Sequence, residues 1–131
     1  MKVKGLDHVN IIAADLDATV AFYGDLLGFR AEPTPGAPMG FQGRWLVDAS
    51  GRPSIHLMAW NEQRHAGLER GSATGSIDHV ALACDDFDGM VRRCEELAVE
   101  YRVNDRLFGN FRQVFVKDPN NVMLELNFSG D

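Results

Sequence analysis

The chain has 131 residues, of which 45% are hydrophobic and 24% charged. That is the size and make-up of one globular domain, which excludes a disordered or fibrous protein. Thirteen Lys and Arg against nineteen Asp and Glu leave a formal charge of -6, the wrong sign for the basic face that nucleic-acid binding needs. No apolar run approaches the ~20 residues of a bilayer span, the opening has no signal-peptide core, and two cysteines are too few for a disulfide framework. These readings predict a cytoplasmic protein with neither nucleic acid nor membrane as a partner.

A repeat organises the elements. Leu6-Asp7-His8-Val9 returns as Ile77-Asp78-His79-Val80, 71 positions on, and Asp15 and Asp17 return as Asp86 and Asp88. Trp45-Leu46-Val47 and Ser54-Ile55-His56-Leu57 are echoed by Val114-Phe115-Val116 and Met123-Leu124-Glu125-Leu126 at an offset of 69. The difference predicts a loop shortened by two residues in the second half. Each half reads as a strand, a helix and about three strands, giving eight strands and two main helices within a single domain, 1–131. The first module covers 1–60, the joint 61–76 and the second module 77–131.

In chain order, the first predicted strand runs through Val9 and Ile11 and is followed by a helix over Leu16–Leu27. Asp15 is its N-cap, Leu16, Val20, Tyr23 and Leu27 its apolar stripe, and Gly28 its stop. Glu32 to Gly40, with three prolines, reads as a loop. Asp48 to Pro53 is a turn between the strand at Trp45 and the strand at His56. Asn61 to Ser76 is polar and glycine-containing, so His65 is expected to be solvated there. The second helix, Phe87 to Ala98, is capped by Asp86 and carries Phe87, Met90, Val91, Cys94 and Leu97 on one stripe. Asp118 to Asn121 closes the last hairpin. Cys84 and Cys94 read as reduced packing residues, since no local cation would activate either thiol.

Side chains alternate across a strand. Val9 and Ile11, Ile55 and Leu57, Val80 and Leu82, and Leu124, Leu126 and Phe128 form apolar faces suited to packing on helices. The opposite faces hold His8 with Asn10, His56 with Met58 and Trp60, His79, and Glu125. Pairing of the modules is therefore expected to line a shared cup with His8, His56, His79 and Glu125. A lone strand histidine is usually a hydrogen-bonded residue, but His8 and His79 stand at equivalent places in the repeat. A carboxylate among Leu124, Leu126 and Phe128 is costly to bury without a cation. Three imidazoles and one carboxylate suit one divalent ion, Zn, Ni, Fe, Co or Mn. Two open positions would remain for neighbouring substrate oxygens. Asn10, Met58, Trp60 and Arg112 are candidate pocket residues, with Phe41 and Trp45 as further apolar lining. Arg44 and Arg112 read as comparable positions able to hold a substrate carboxylate.

Three stretches carry a family resemblance: Leu-Asp-His-Val at residues 6–9, Ala21-Phe22-Tyr23-Gly24-Asp25-Leu26-Leu27-Gly28-Phe29, and Lys117-Asp118-Pro119-Asn120-Asn121-Val122-Met123-Leu124-Glu125-Leu126. Together they resemble the vicinal oxygen chelate superfamily of glyoxalases, bleomycin-resistance proteins and extradiol dioxygenases. The resemblance implies an α+β fold of two tandem βαβββ modules forming an open, cup-shaped mixed sheet, usually as a homodimer. It carries the metal ligands onto His8, His56, His79 and Glu125. Glyoxalase I usually has glutamate, and methylmalonyl-CoA epimerase glutamine, where this chain has His56. Fosfomycin-resistance and extradiol enzymes use three ligands, matching His8, His79 and Glu125. The implied activity is glyoxalase-type proton transfer on a small substrate, a lyase or isomerase reaction with Glu125 as base. The alternatives are iron-dependent ring cleavage and a binding protein without chemistry.

Overall fold

The computed structural model describes residues 1–34, 42–69, 74–105 and 111–129. The order is β1 (Val9–Ala13), α1 (Leu16–Leu27), β2 (Arg30–Pro33), β3 (Gly43–Val47), β4 (Pro53–Ala59), β5 (Val80–Cys84), α2 (Phe87–Glu96), β6 (Tyr101–Asn104), β7 (Phe111–Lys117) and β8 (Met123–Ser129). It divides into two units, Met1–Leu68 and Glu69–Asp131. Each is a four-stranded mixed sheet with one helix, ordered β1-β4-β3-β2 and β5-β8-β7-β6. The first pairs are parallel and the other pairs antiparallel. The fold is thus α+β, built from tandem βαβββ modules. Among the described residues, no helix is long and apolar enough to cross a membrane.

Local chemistry explains where the helices begin and end. Asp15 accepts a hydrogen bond from the Ala18 N–H, and Asp86 accepts one from the Gly89 N–H, satisfying donors that the first turn leaves open. Gly28, at φ 72°, stops α1 in the left-handed conformation that costs glycine nothing. The buried stripe of α1 is Thr19, Tyr23 and Leu26, not the expected set through Leu27. The Thr19 hydroxyl donates to the Asp15 carbonyl, so this polar side chain is buried with its hydrogen bond made. The apolar strand faces pack as expected: Ile55, Leu57, Leu124 and Leu126 are fully buried, with Phe87 edge-on to Phe128 at 5.4 Å.

The two lost residues are not in a loop. One goes at the end of α2, where Ala98 N–H bonds to Glu95 and Val99 N–H to Cys94, one residue tighter than the Gly28–Gly24 and Phe29–Tyr23 bonds of α1. The other is a bulge in β4: Leu46 pairs with Ile55 and Val47 with Pro53, leaving Ser54 extra, whereas β7 and β8 pair without interruption. Trp45, opposite His56, is therefore the counterpart of Phe115, opposite Glu125, one residue on from the sequence alignment. Two elements also differ from expectation. β2 runs into the proline-rich stretch as far as Pro33, and an edge strand tolerates a residue lacking an N–H. β6, short and polar, gave no clear sequence signal.

Candidate functional site

In the first unit, His8 stands immediately before β1 and His56 on β4. His8 Nδ1 lies 2.6 Å from an Asp7 carboxylate oxygen, which fixes the proton on Nδ1 and leaves the Nε2 lone pair available. His56 stacks on Trp45, with centroids 4.4 Å apart and planes at 15°, and His8 meets the same indole edge-on at 4.8 Å. The two imidazole centroids are 6.2 Å apart. Asn10 holds His56 Nδ1 at 2.9 Å, and Thr34 Oγ1 is 3.4 Å from Nε2. Burial, then electrostatic repulsion from the neighbouring His8 imidazole, pushes the His56 pKa below 6.5, which favours the neutral ring that a ligand needs.

Gly43 makes room for this ring. A Cβ on Gly43 would lie 3.3 Å from His56 Nε2, 3.2 Å from Thr34 Oγ1 and 2.7 Å from the Leu57 carbonyl oxygen. The last contact is with backbone and cannot be relieved by a side-chain rotation. Only glycine leaves this cradle open.

In the second unit, His79 repeats the Asp–His pairing, with Nδ1 2.8 Å from Asp78. Its Nε2 lies 3.2 Å from Glu125 Oε2. The Glu125 side chain is only 16% exposed, against 37% for His79. Both ring nitrogens thus face carboxylate oxygens, a setting that favours positive charge on the Nε2 side, whether a proton or a metal ion. The Asp78 hydrogen bond, aided by the charges of Glu125 and Asp78, raises the His79 pKa above 6.5. Within each unit the donors come in twos, and no group of three His, Cys, Asp or Glu forms a metal cluster among the described residues. The donor chemistry nevertheless fits a divalent ion: oriented imidazoles, a glycine cradle and a half-buried carboxylate.

The other candidates fall in different places. Asn10 orients His56, and Met58 sits two residues further along the same face of β4. Trp60 follows the end of β4, its backbone N–H bonded to Ala13 and its ring 5.2 Å from His65. His65 is buried, not solvated: it is 4% exposed, and its Nδ1 accepts the Asn61 N–H. Arg112 is on the opposite face from Glu125. Its guanidinium lies 4.0 Å over Phe87 and 3.5 Å from Asp88, both on α2. Nor is it the counterpart of Arg44, since Arg44 pairs with Leu57 and Arg112 with Phe128. Phe41 lies outside the described residues. Burial pushes the Cys84 thiol up to about 11, so it is no nucleophile at neutral pH. Asp7, Asp78, Thr34 and Gly43 were not singled out from sequence, although the aspartate before each histidine is visible in the repeat.

Comparison with known proteins agrees with this architecture. Residues 5–126 match the family model of the Glyoxalase/Bleomycin resistance protein/Dioxygenase superfamily. Glyoxylase I 4 of Arabidopsis thaliana is 26% identical over 129 residues, spanning 96% of this chain and 71% of that protein. A glyoxylase/bleomycin resistance protein/dioxygenase domain from Frankia sp. EAN1pec superposes with a TM-score of 0.77 at 19% identity, covering 99% of this chain and 95% of that one. A mutant of the fosfomycin resistance protein FosX from Listeria monocytogenes, complexed with Mn(II) and 1S,2S-dihydroxypropylphosphonic acid, gives 0.74 at 22% identity, covering 98% and 95%. The chain belongs to the glyoxalase/bleomycin resistance protein/dioxygenase superfamily.

Proposed function

We propose that this protein is a divalent-metal-dependent lyase or isomerase of the glyoxalase type, with His8, His56, His79 and Glu125 as ligands of one ion. The observation that carries the reading is the His79–Glu125 pair, a carboxylate 16% exposed and 3.2 Å from an imidazole nitrogen whose ring is oriented from behind by Asp78. A bound divalent ion supplies positive charge for the vicinal oxygens of a small substrate and stabilises negative charge that develops on them. Glu125 accepts a proton from the carbon beside those oxygens and returns it to the neighbouring carbon. Asp7 and Asp78 keep the Nε2 lone pairs of His8 and His79 available, and Trp45 shields the His56 side from water.

A second reading rests on His56, whose two nitrogens already meet Asn10 and Thr34. In it His56 positions substrate, and the ligand set is His8, His79 and Glu125. We propose a homodimer because β1 and β5 stand at the edges of their sheets, where a strand edge invites a second copy.

Elemental analysis of the purified protein, with assays on α-oxoaldehyde thiohemiacetals and catechols, tests the function. Glu125→Gln is expected to lower turnover at least ~100-fold, as removal of a general base does, and to weaken metal binding. His56→Gln is expected to keep the metal while activity changes. Unchanged metal content and activity would establish the three-ligand set. Full turnover by Glu125→Gln would overturn Glu125 as the base.

A further inference from the structure

The two sheets carry the same row of side chains with opposite charge at its end. Across the first sheet, β4, β3 and β2 place His56, Trp45 and Glu32 side by side. Across the second, β8, β7 and β6 place Glu125, Phe115 and Arg102 side by side. The aromatic ring is retained in both rows. The outer residue is a carboxylate in one and a guanidinium in the other. Glu32 is neutralised by Arg30 at 2.8 Å. Arg102 has no such partner: among the described residues no carboxylate forms an ion pair with it or with Lys117. Its Cζ instead lies 4.2 Å over the Phe115 ring.

Beside this row is a cavity of about 450 Å³, within the range of small-molecule sites. Arg102, Phe115, Lys117 and Met123 line it, and by register all four share the face of Glu125. Glu100, exposed to solvent, also lines it. Strands are ~4.8 Å apart, so Arg102 lies two strands, roughly 10 Å, from Glu125.

We propose that this cavity holds the far end of the substrate, and that the substrate is an organic anion. It carries a carboxylate or phosphoryl group bound by Arg102, with Lys117 beside it. An apolar body runs past the edge of Phe115 and along Met123, towards the oxygens that meet Glu125. A guanidinium over a ring keeps its outer N–H groups free for a bidentate anion. Glu100, on the same lining, selects against ligands that place a second anionic group beside it. The inference gives the substrate class for the function proposed above and rests on that reading, but the cavity lies in one unit and binds the anion without metal.

The test uses the intact, metal-free protein and two probes of equal shape, 3-phenylpropanoate and 3-phenyl-1-propanol, titrated by NMR at low salt. The carboxylate is expected to shift the Arg102 side-chain and Phe115 ring signals, with a Kd about tenfold below that of the alcohol. Arg102→Gln is expected to remove that difference, leaving alcohol binding as it was, and Lys117→Gln to reduce it. Equal affinity for the two probes, shifts confined to other residues, or an unaltered preference in Arg102→Gln would overturn the proposal. Metal content is measured separately. A protein that binds the carboxylate here but takes up no metal would retain the anion site and lose the metal-dependent function.

Discussion

At the scale of single residues, the candidate site depends on groups that hold a donor rather than supply one. His79 has a raised pKa chiefly because Asp78 accepts its Nδ1 proton. Asp78→Asn should therefore return the His79 titration towards 6.5, followed by imidazole NMR, and weaken metal affinity 10- to 100-fold, as loss of an orienting carboxylate does. An unmoved titration would mean that Glu125 alone sets the shift. Gly43 acts by absence. Gly43→Ala forces a methyl against the Leu57 carbonyl and towards His56 Nε2, and should cost about 1–3 kcal/mol, the usual range for overpacking. Urea unfolding measures it, and an unchanged midpoint would show that β3 can move aside.

At the scale of elements, the repeat is most exact in its turns. Asp48 and Asp118 both accept backbone N–H groups through Oδ1, from Ser50 and Arg52 in one turn and from Asn120 and Val122 in the other. Gly51 and Asn121 occupy the same place with positive φ, 84° and 66°. Burial separates the two. Asp118 is 4% exposed, whereas the Asp48 turn is open to water. Asp118→Ala strands buried donors and should cost about 2–3 kcal/mol. Asp48→Ala should cost clearly less, because water replaces the carboxylate there. Equal losses in thermal or urea unfolding would mean that turn geometry outweighs desolvation. The hydrogen bonds of Asp48 also hold its pKa below the usual carboxylate value, the Ser50 hydroxyl first among them.

At the scale of the whole molecule, two histidines give the metal-free protein opposing pH dependences. The folded-state pKa of His56 is depressed below 6.5, so its contribution is present above 6.5 and is lost as pH falls through the folded value. That of His79 is raised, so its contribution is complete below 6.5 and is lost as pH rises through its folded value. Together they place a stability maximum near pH 6.5. Urea titrations across pH 5–8 should show a rising limb that His56→Gln removes and a falling limb that Asp78→Asn removes. For the metal site proposed above, the dependence on the His79 side would run the other way. A metal ion bound there would displace the proton from His79, so affinity should rise with pH through the His79 titration, and a flat dependence in equilibrium dialysis would count against that exchange.

The sequence by itself determined the repeat, both helix caps, the buried faces of β4 and β8 and the places of His56 and Glu125 on the opposite faces of those strands. These follow from local rules: a side chain alternates across a strand whatever packs on it, and an aspartate before a helix caps it wherever the helix goes. The α1 stripe was displaced because Thr19 can bond to Asp15 and so be buried, which hydropathy does not register. Tertiary structure alone decided what the donors touch. His56 stacks on Trp45 because a bulge at Ser54 sets the register of β3 against β4. Arg112 turns to Phe87 and Asp88 because its strand position belongs to the helix face. His65 is buried although its neighbours in sequence are polar. Each outcome depends on strands or turns brought together from distant parts of the chain, and a linear pattern carries no term for the partner across the ladder.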